Sequence, residues 1–194
     1  MQEKNMTTRK IVMTGLLAAL TVAGSALRIT IPIDIGGTTS FHLGNIMCAL
    51  AGILLGPWYG ALSAGLGSAI YDMLNPLYIS ESWITFLTKG AYGLAAGFVA
   101  WAVYKSWSAK ENRSYLRAVL ATVAGALTYA VLYLAKSYFY SGLLIKGLTA
   151  KAAMISVVSK LPATAFNAVV AIIAAPLLAM AISKALEKAR LSLK

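Results

Sequence analysis

Four ionisable side chains, Asp72, Lys89, Lys136 and Lys160, lie within or at the ends of stretches that are otherwise apolar. A charge inside hydrocarbon is expensive, so such a group faces a polar cavity, pairs with an opposite charge or lines a solute path. The depth of Lys89 and Lys160 in their stretches favours a cavity. Lys136 also suits snorkelling to an interface, and Asp72 also suits neutralising one of the lysines. Together they describe a site that is net positive or charge-paired, matched to an anionic or polar small molecule.

The same part of the chain offers His42, Asn45, Tyr71, Asn75, Trp83, Tyr138 and Tyr140. Aromatic faces with a few directional polar groups suit a flat heterocyclic ligand. Tyr and Trp also form belts at membrane interfaces, which is the reading given to Tyr78 and Tyr104. Catalysis has little to work with, because there is one histidine and there are six acidic residues, with no HExxH, GxSxG or Walker pattern. The chain therefore reads as a non-enzyme, and no cofactor is expected. Cys48, the one cysteine, lies in an apolar run, which leaves no disulfide framework and no multi-cysteine metal site.

The elements that must hold these residues follow from composition. The 194 residues are 59% hydrophobic and 12% charged, with mean hydropathy +0.74, whereas a soluble domain carries roughly 25% charged residues. Apolar stretches over 11–27, 83–103, 118–135 and 163–182 approach the ~20 residues that cross a hydrocarbon core. They are continuous and rich in Ala and Leu, so they predict helices rather than alternating barrel strands. The expectation is an all-α membrane protein, one transmembrane domain over 1–194, built as a bundle of about six transmembrane helices.

Helix 1 is expected over about 10–27, followed by a long loop broken at Pro32, Asp34, Gly36 and Gly37 and ending at Phe41-His42-Leu43-Gly44-Asn45. Gly56-Pro57-Trp58-Tyr59-Gly60 divides helices 2 and 3, both short for full spans. Helix 4 is expected over 83–104, a basic connector over 105–117, and helix 5 to at least Lys136. A turn over 142–147 leads to helix 6, which starts near Ala150, kinks at Pro162 and ends near Ser183. Lys4, Arg9 and Lys10 ahead of an apolar run ending Gly24-Ser25-Ala26 also fit a signal peptide. The run is long for a signal and no mature start follows it, so a retained helix is expected.

Charge sets the orientation. The N-terminal tail, the connector and the C-terminal tail hold eleven of the 17 basic residues, against Arg28, Lys146 and Lys151 in the opposite loops. The positive-inside rule then places both termini in the cytoplasm, with the four ionisable groups toward the outer half. This topology accounts for the net charge of +11 without a nucleic-acid partner. Small residues recur as Gly52-xxx-Gly56-xxx-Gly60, Gly93-xxx-Gly97 and Gly15-xxx-Ala19-xxx-Ala23, spacings that let helices approach closely. The helix 1 stripe meets either another helix of the bundle or a partner.

Three segments carry a resemblance: FHLGN over 41–45, LLGPWYGALSAGLGSAIYDMLNP over 54–76 and FLTKGAYGLAAG over 86–97. They are similar to the loop, turn and helix motifs of the substrate-binding S components of energy-coupling factor (ECF) transporters. The resemblance implies a vitamin-capturing subunit that associates with a transmembrane coupling protein and two cytoplasmic ATPases in the bacterial cell membrane. It implies a ligand site formed by the first loop and helices 4 to 6. It also implies a docking motif on helix 1, matched here by the spacing of Ala19 and Ala23. His42 and Asn45 stand where many relatives have Asn and Asp, so riboflavin, pyridoxine, a thiamin precursor, pantothenate and a cobalamin-related compound all stay open as ligands. A stand-alone carrier with Asp72 or Glu81 as proton-coupling group is the alternative, and a small intramembrane enzyme is disfavoured by the shortage of acids and histidines.

Overall fold

In the computed structural model, residues 2–33, 37–106 and 112–189 are described. Helix α1 spans Gln2–Ala26. Beyond it, alternation of β-branched residues in Arg-Ile-Thr-Ile-Pro-Ile favours an extended chain, and Arg28–Ile33 forms strand β1. Strand β2, Gly37–His42, pairs with it antiparallel in a register running from Arg28 opposite His42 to Ile33 opposite Gly37. The long irregular loop expected here is thus a β-hairpin. Pro32 is tolerated because each strand of a two-stranded ribbon has a free edge. Asp34 and Gly36, named as breakers, lie outside the described residues.

Helix α2 covers Gly44–Leu55 and α3 covers Pro57–Met73, divided at the expected turn. Gly56 there has φ of 82°, a left-handed conformation that disfavours a side chain, and Pro57 opens α3 in the position where its missing N–H costs nothing. A short 3₁₀ turn, Ile79–Glu81, leads into α4, Ser82–Ser106. Helix α5, Asn112–Lys136, continues as a π-helical segment over Ser137–Ile145, where a turn was expected from 142. Helix α6 runs unbroken from Ala150 to Lys188 through both Pro162 and Pro176, capped at its start by Thr149, and outlasts its expected end near 183. Residues 107–111 of the basic connector lie outside the described residues, and its flanks belong to the end of α4 and the start of α5.

Glycine explains how α2, α3 and α4 reach contact. A Cβ on Gly93 would meet the Gly60 carbonyl oxygen at 2.5 Å, and one on Gly52 would meet the Gly93 carbonyl oxygen at 2.5 Å. Both obstacles are backbone, so no side chain fits between these helices. The core is correspondingly built of small residues, with Ala49, Ala51, Ala64, Ala96 and Ala171 fully buried around Leu50, Leu55 and Tyr92.

Large apolar side chains point outward instead, among them Leu127, Val131, Val158, Val169 and Ile173. Three helical segments, Thr8–Ala26, Tyr115–Ile145 and Ala150–Lys188, are long and apolar enough to cross a membrane. An apolar exterior over a small-residue core is the arrangement lipid requires.

Candidate functional site

A cavity of about 320 Å³ lies where the end of α1, the hairpin and the turn before α4 meet α4, α5 and α6. His42, Asn45, Asp72, Lys89, Lys136 and Lys160, six of the residues singled out in the sequence, line it together. Each is placed by a different element: β2, α2, α3, α4, the end of α5 and α6.

One wall is built around Lys89. Its Nζ donates to Asn45 Oδ1, joining α4 to the first turn of α2, and stands 3.7 Å from the centroid of the Tyr129 ring. Tyr129 stacks on Tyr92 at 6.0 Å and on Tyr133 at 5.5 Å, so three tyrosines form a ladder from the core to the cavity. An ionic group lies at the Tyr133 end of the ladder. Lys136 pairs with Glu81, which also accepts a hydrogen bond from Ser141 Oγ at 2.6 Å. Lys160 Nζ donates to Ser137 Oγ at 3.3 Å and lies 5.9 Å from the Tyr133 ring centroid. Ser137 and Ser141 are both buried in the π-helical stretch after α5.

The hairpin closes one side of the cavity and is pinned from two directions. Asn167 of α6 accepts the His42 backbone N–H at 3.0 Å and donates to the Ser40 carbonyl oxygen at 2.8 Å. Beside it, Phe41 and Phe166 meet edge to face at 4.9 Å. From α3 and the following turn, the Arg28 guanidinium lies 4.1 Å from the Tyr71 ring and 5.0 Å from the Tyr78 ring, while Tyr78 Oη is 3.1 Å from Thr38 Oγ1. Burial, helped by the positive Lys89 and Arg28, holds the His42 imidazole well below its ordinary range and hence neutral, free to accept the Gly44 N–H at Nδ1. Burial alone would raise Glu81, but Lys136 and Ser141 outweigh it and the carboxyl ends below its ordinary value.

Five sequence candidates, Tyr71, Asn75, Trp83, Tyr138 and Tyr140, are not among the lining residues. Tyr71 supports Arg28 from outside. Asn75 donates to Tyr71 Oη at 3.1 Å and accepts the Leu77 N–H at 3.0 Å, so it shapes the turn after α3. Trp83 and Tyr140 form an edge-to-face pair at 5.6 Å, with Trp83 53% exposed. Conversely, Tyr78 lines the cavity although it was read as part of a belt, and so do Arg28, Tyr129, Tyr133 and Asn167, which were not singled out as site residues. Asn167 carried a readable signal, a lone amide within an apolar run. Among the described residues no cluster of three or more His, Cys, Asp or Glu side chains is arranged to hold a metal.

Gly15, Ala19 and Ala23 lie on the exposed face of α1, and a Cβ on Gly15 would meet nothing within 4 Å. The helix buries its other face, Thr14, Leu17, Ala18 and Thr21. The small-residue stripe is therefore not used inside this bundle.

The profile of the family described as ECF-type riboflavin transporter, S component, matches residues 5–184. The chain belongs to this family. As an ECF S component it is a substrate-binding subunit of an integral membrane transporter and not an enzyme. Among similar proteins are an uncharacterised protein in the gap 3′ region of Pyrococcus woesei and a UPF0397 protein of Streptococcus gordonii. The first is 32% identical over 124 residues, covering 64% of this chain and 74% of the relative. The second is 27% identical over 164 residues, covering 66% and 86%. A UPF0397 protein of Streptococcus sanguinis is 35% identical over 95 residues, covering 49% of this chain and 50% of the relative.

Proposed function

We propose that this S component captures a vitamin or related micronutrient in the cavity beneath the hairpin, facing outward. It then delivers the solute through a transmembrane coupling protein powered by two cytoplasmic ATPases. The bundle crosses the bacterial plasma membrane six times with both termini in the cytoplasm. One observation carries this reading. The cavity sits where α1 and α5 end, where α4 begins and along the first half of α6, while Arg9, Lys10, Lys184 and Lys188 lie toward the opposite ends of α1 and α6. With the basic ends cytoplasmic, the cavity opens toward the outside.

The family description names riboflavin; pyridoxine, a thiamin precursor, pantothenate and a cobalamin-related compound are the other candidates for this chain. The exposed stripe Gly15, Ala19 and Ala23 supplies a surface on which a helix of the coupling protein packs closely. Co-purification tests the reading. The chain, expressed with its coupling protein and ATPases, is expected to copurify with both and to support uptake that stops when ATP is removed. Uptake by the chain alone, driven by a proton gradient and lost in Asp72→Asn or Glu81→Gln, would instead establish a stand-alone carrier.

A further inference from the structure

The charges around the cavity do not balance. Among the described lining residues, Arg28, Lys89, Lys136 and Lys160 stand against Asp72 and Glu81. Glu81 is committed to Lys136, the ion pair found among the described residues. Lys89 and Lys160 are both buried and form no ion pair there. A lysine ammonium has three N–H donors. Lys160 donates one to a neutral hydroxyl, Ser137, and Lys89 donates one to a neutral amide, Asn45, while they lie beside Tyr133 and Tyr129 of α5 respectively. A neutral partner satisfies a donor without cancelling the charge, and uncancelled charge in a membrane interior is costly. The remaining lining is rich in hydroxyl groups, including Thr38, Ser40, Thr85 and Thr88. Its volume, about 320 Å³, stands near the lower end of the ligand-site range of roughly 300–1,000 Å³.

Resting on the reading of this cavity as the solute site, we infer that its ligand is a compact oxyanion, a carboxylate or phosphate ester, with Lys89 and Lys160 as its counter-charges. The anion completes a charge balance that the protein leaves open, and the hydroxyl groups hydrogen-bond the rest of the molecule. The neutral form of the same scaffold leaves two buried ammonium groups unmatched and is rejected for that reason.

The test uses the purified full chain in detergent near neutral pH, with matched anionic and neutral probes measured by titration calorimetry. The pairs are pantothenate with panthenol, riboflavin 5′-phosphate with riboflavin, and pyridoxine 5′-phosphate with pyridoxine. In any pair that binds, the anion is expected to bind about tenfold or more tighter than its neutral partner. Lys160→Met and Lys89→Met should each bring that ratio toward one, and Lys160→Arg should preserve it. The wild-type ratio stands even if a variant fails to fold. A neutral probe that binds as tightly as its anion overturns the oxyanion inference and leaves the binding-subunit reading in place. Binding by none of the three anions to the wild-type chain also overturns the oxyanion inference, while the binding-subunit reading stands or falls on copurification with the coupling protein and ATPases.

Discussion

The side-chain oxygen of Asn167 accepts the backbone N–H of His42 at 3.0 Å, tying the middle of α6 to a hairpin end 125 residues earlier. With its amide nitrogen on Ser40, one side chain holds β2 over the cavity twice. Replacing it with Leu strands a backbone donor and a carbonyl, at about 1–3 kcal/mol for each buried group left unpaired. Amide exchange in Asn167→Leu is expected to quicken by about tenfold or more over 38–44, with α2 and α4 unchanged. Unaltered protection would show that the hairpin is held by other contacts.

Stability should depend on pH in two separate windows. His42 is kept neutral in the folded chain, so the unfolded chain binds its proton more readily. The contribution of His42 is therefore whole above 6.5 and declines as pH falls below it. The lowered Glu81 carboxyl contributes fully above 4.5 and is lost as pH falls through its folded value. Thermal unfolding in detergent is expected to show a falling midpoint from 6.5 toward 4.5 in the wild type, flattened by His42→Gln. Glu81→Gln should flatten the lower window only.

Gly93 faces the Gly60 carbonyl oxygen with no room for a Cβ, whereas Gly15 faces open space. Gly93→Val must separate α3 from α4 and is expected to cost about 1–3 kcal/mol, read as a lower thermal midpoint. Gly15→Val should change it only slightly. Equal effects at the two positions would contradict the close packing of α3 on α4.

Much of this site is written in the sequence as residues out of place. Lys89 and Lys160 announced themselves because a charge in an apolar helix needs a reason, and both line the cavity. Pro32 and the glycines predict a long loop, whereas the β-branched alternation in Arg28–Ile33 lets that strand pair with Gly37–His42 as a hairpin. Arg28 was counted only for topology, yet tertiary packing sets it against Tyr71 and Tyr78. Trp83 and Tyr140 have the right chemistry for a ligand, but α4 and the π-helical segment after α5 turn them toward each other. No local pattern in sequence distinguishes a belt aromatic from a lining one, because the choice depends on helix rotation.

The exposed stripe on α1 separates docking from binding. Ala19→Leu and Ala23→Leu add bulk to the exposed face of α1. Both variants are expected to keep wild-type thermal stability and solute affinity while losing copurification with the coupling protein and ATPases. Loss of stability together with partners would mean that the stripe serves the bundle itself.

The most direct test of solute capture in this cavity is mass spectrometry of the small molecule retained through gentle purification, compared across three proteins. Wild type is expected to carry one solute near equimolar amount, Lys160→Met to lose it, and Trp83→Ala, altered outside the cavity, to keep it. A solute retained by Lys160→Met but lost from Trp83→Ala would place the site at the Trp83–Tyr140 pair and contradict this account.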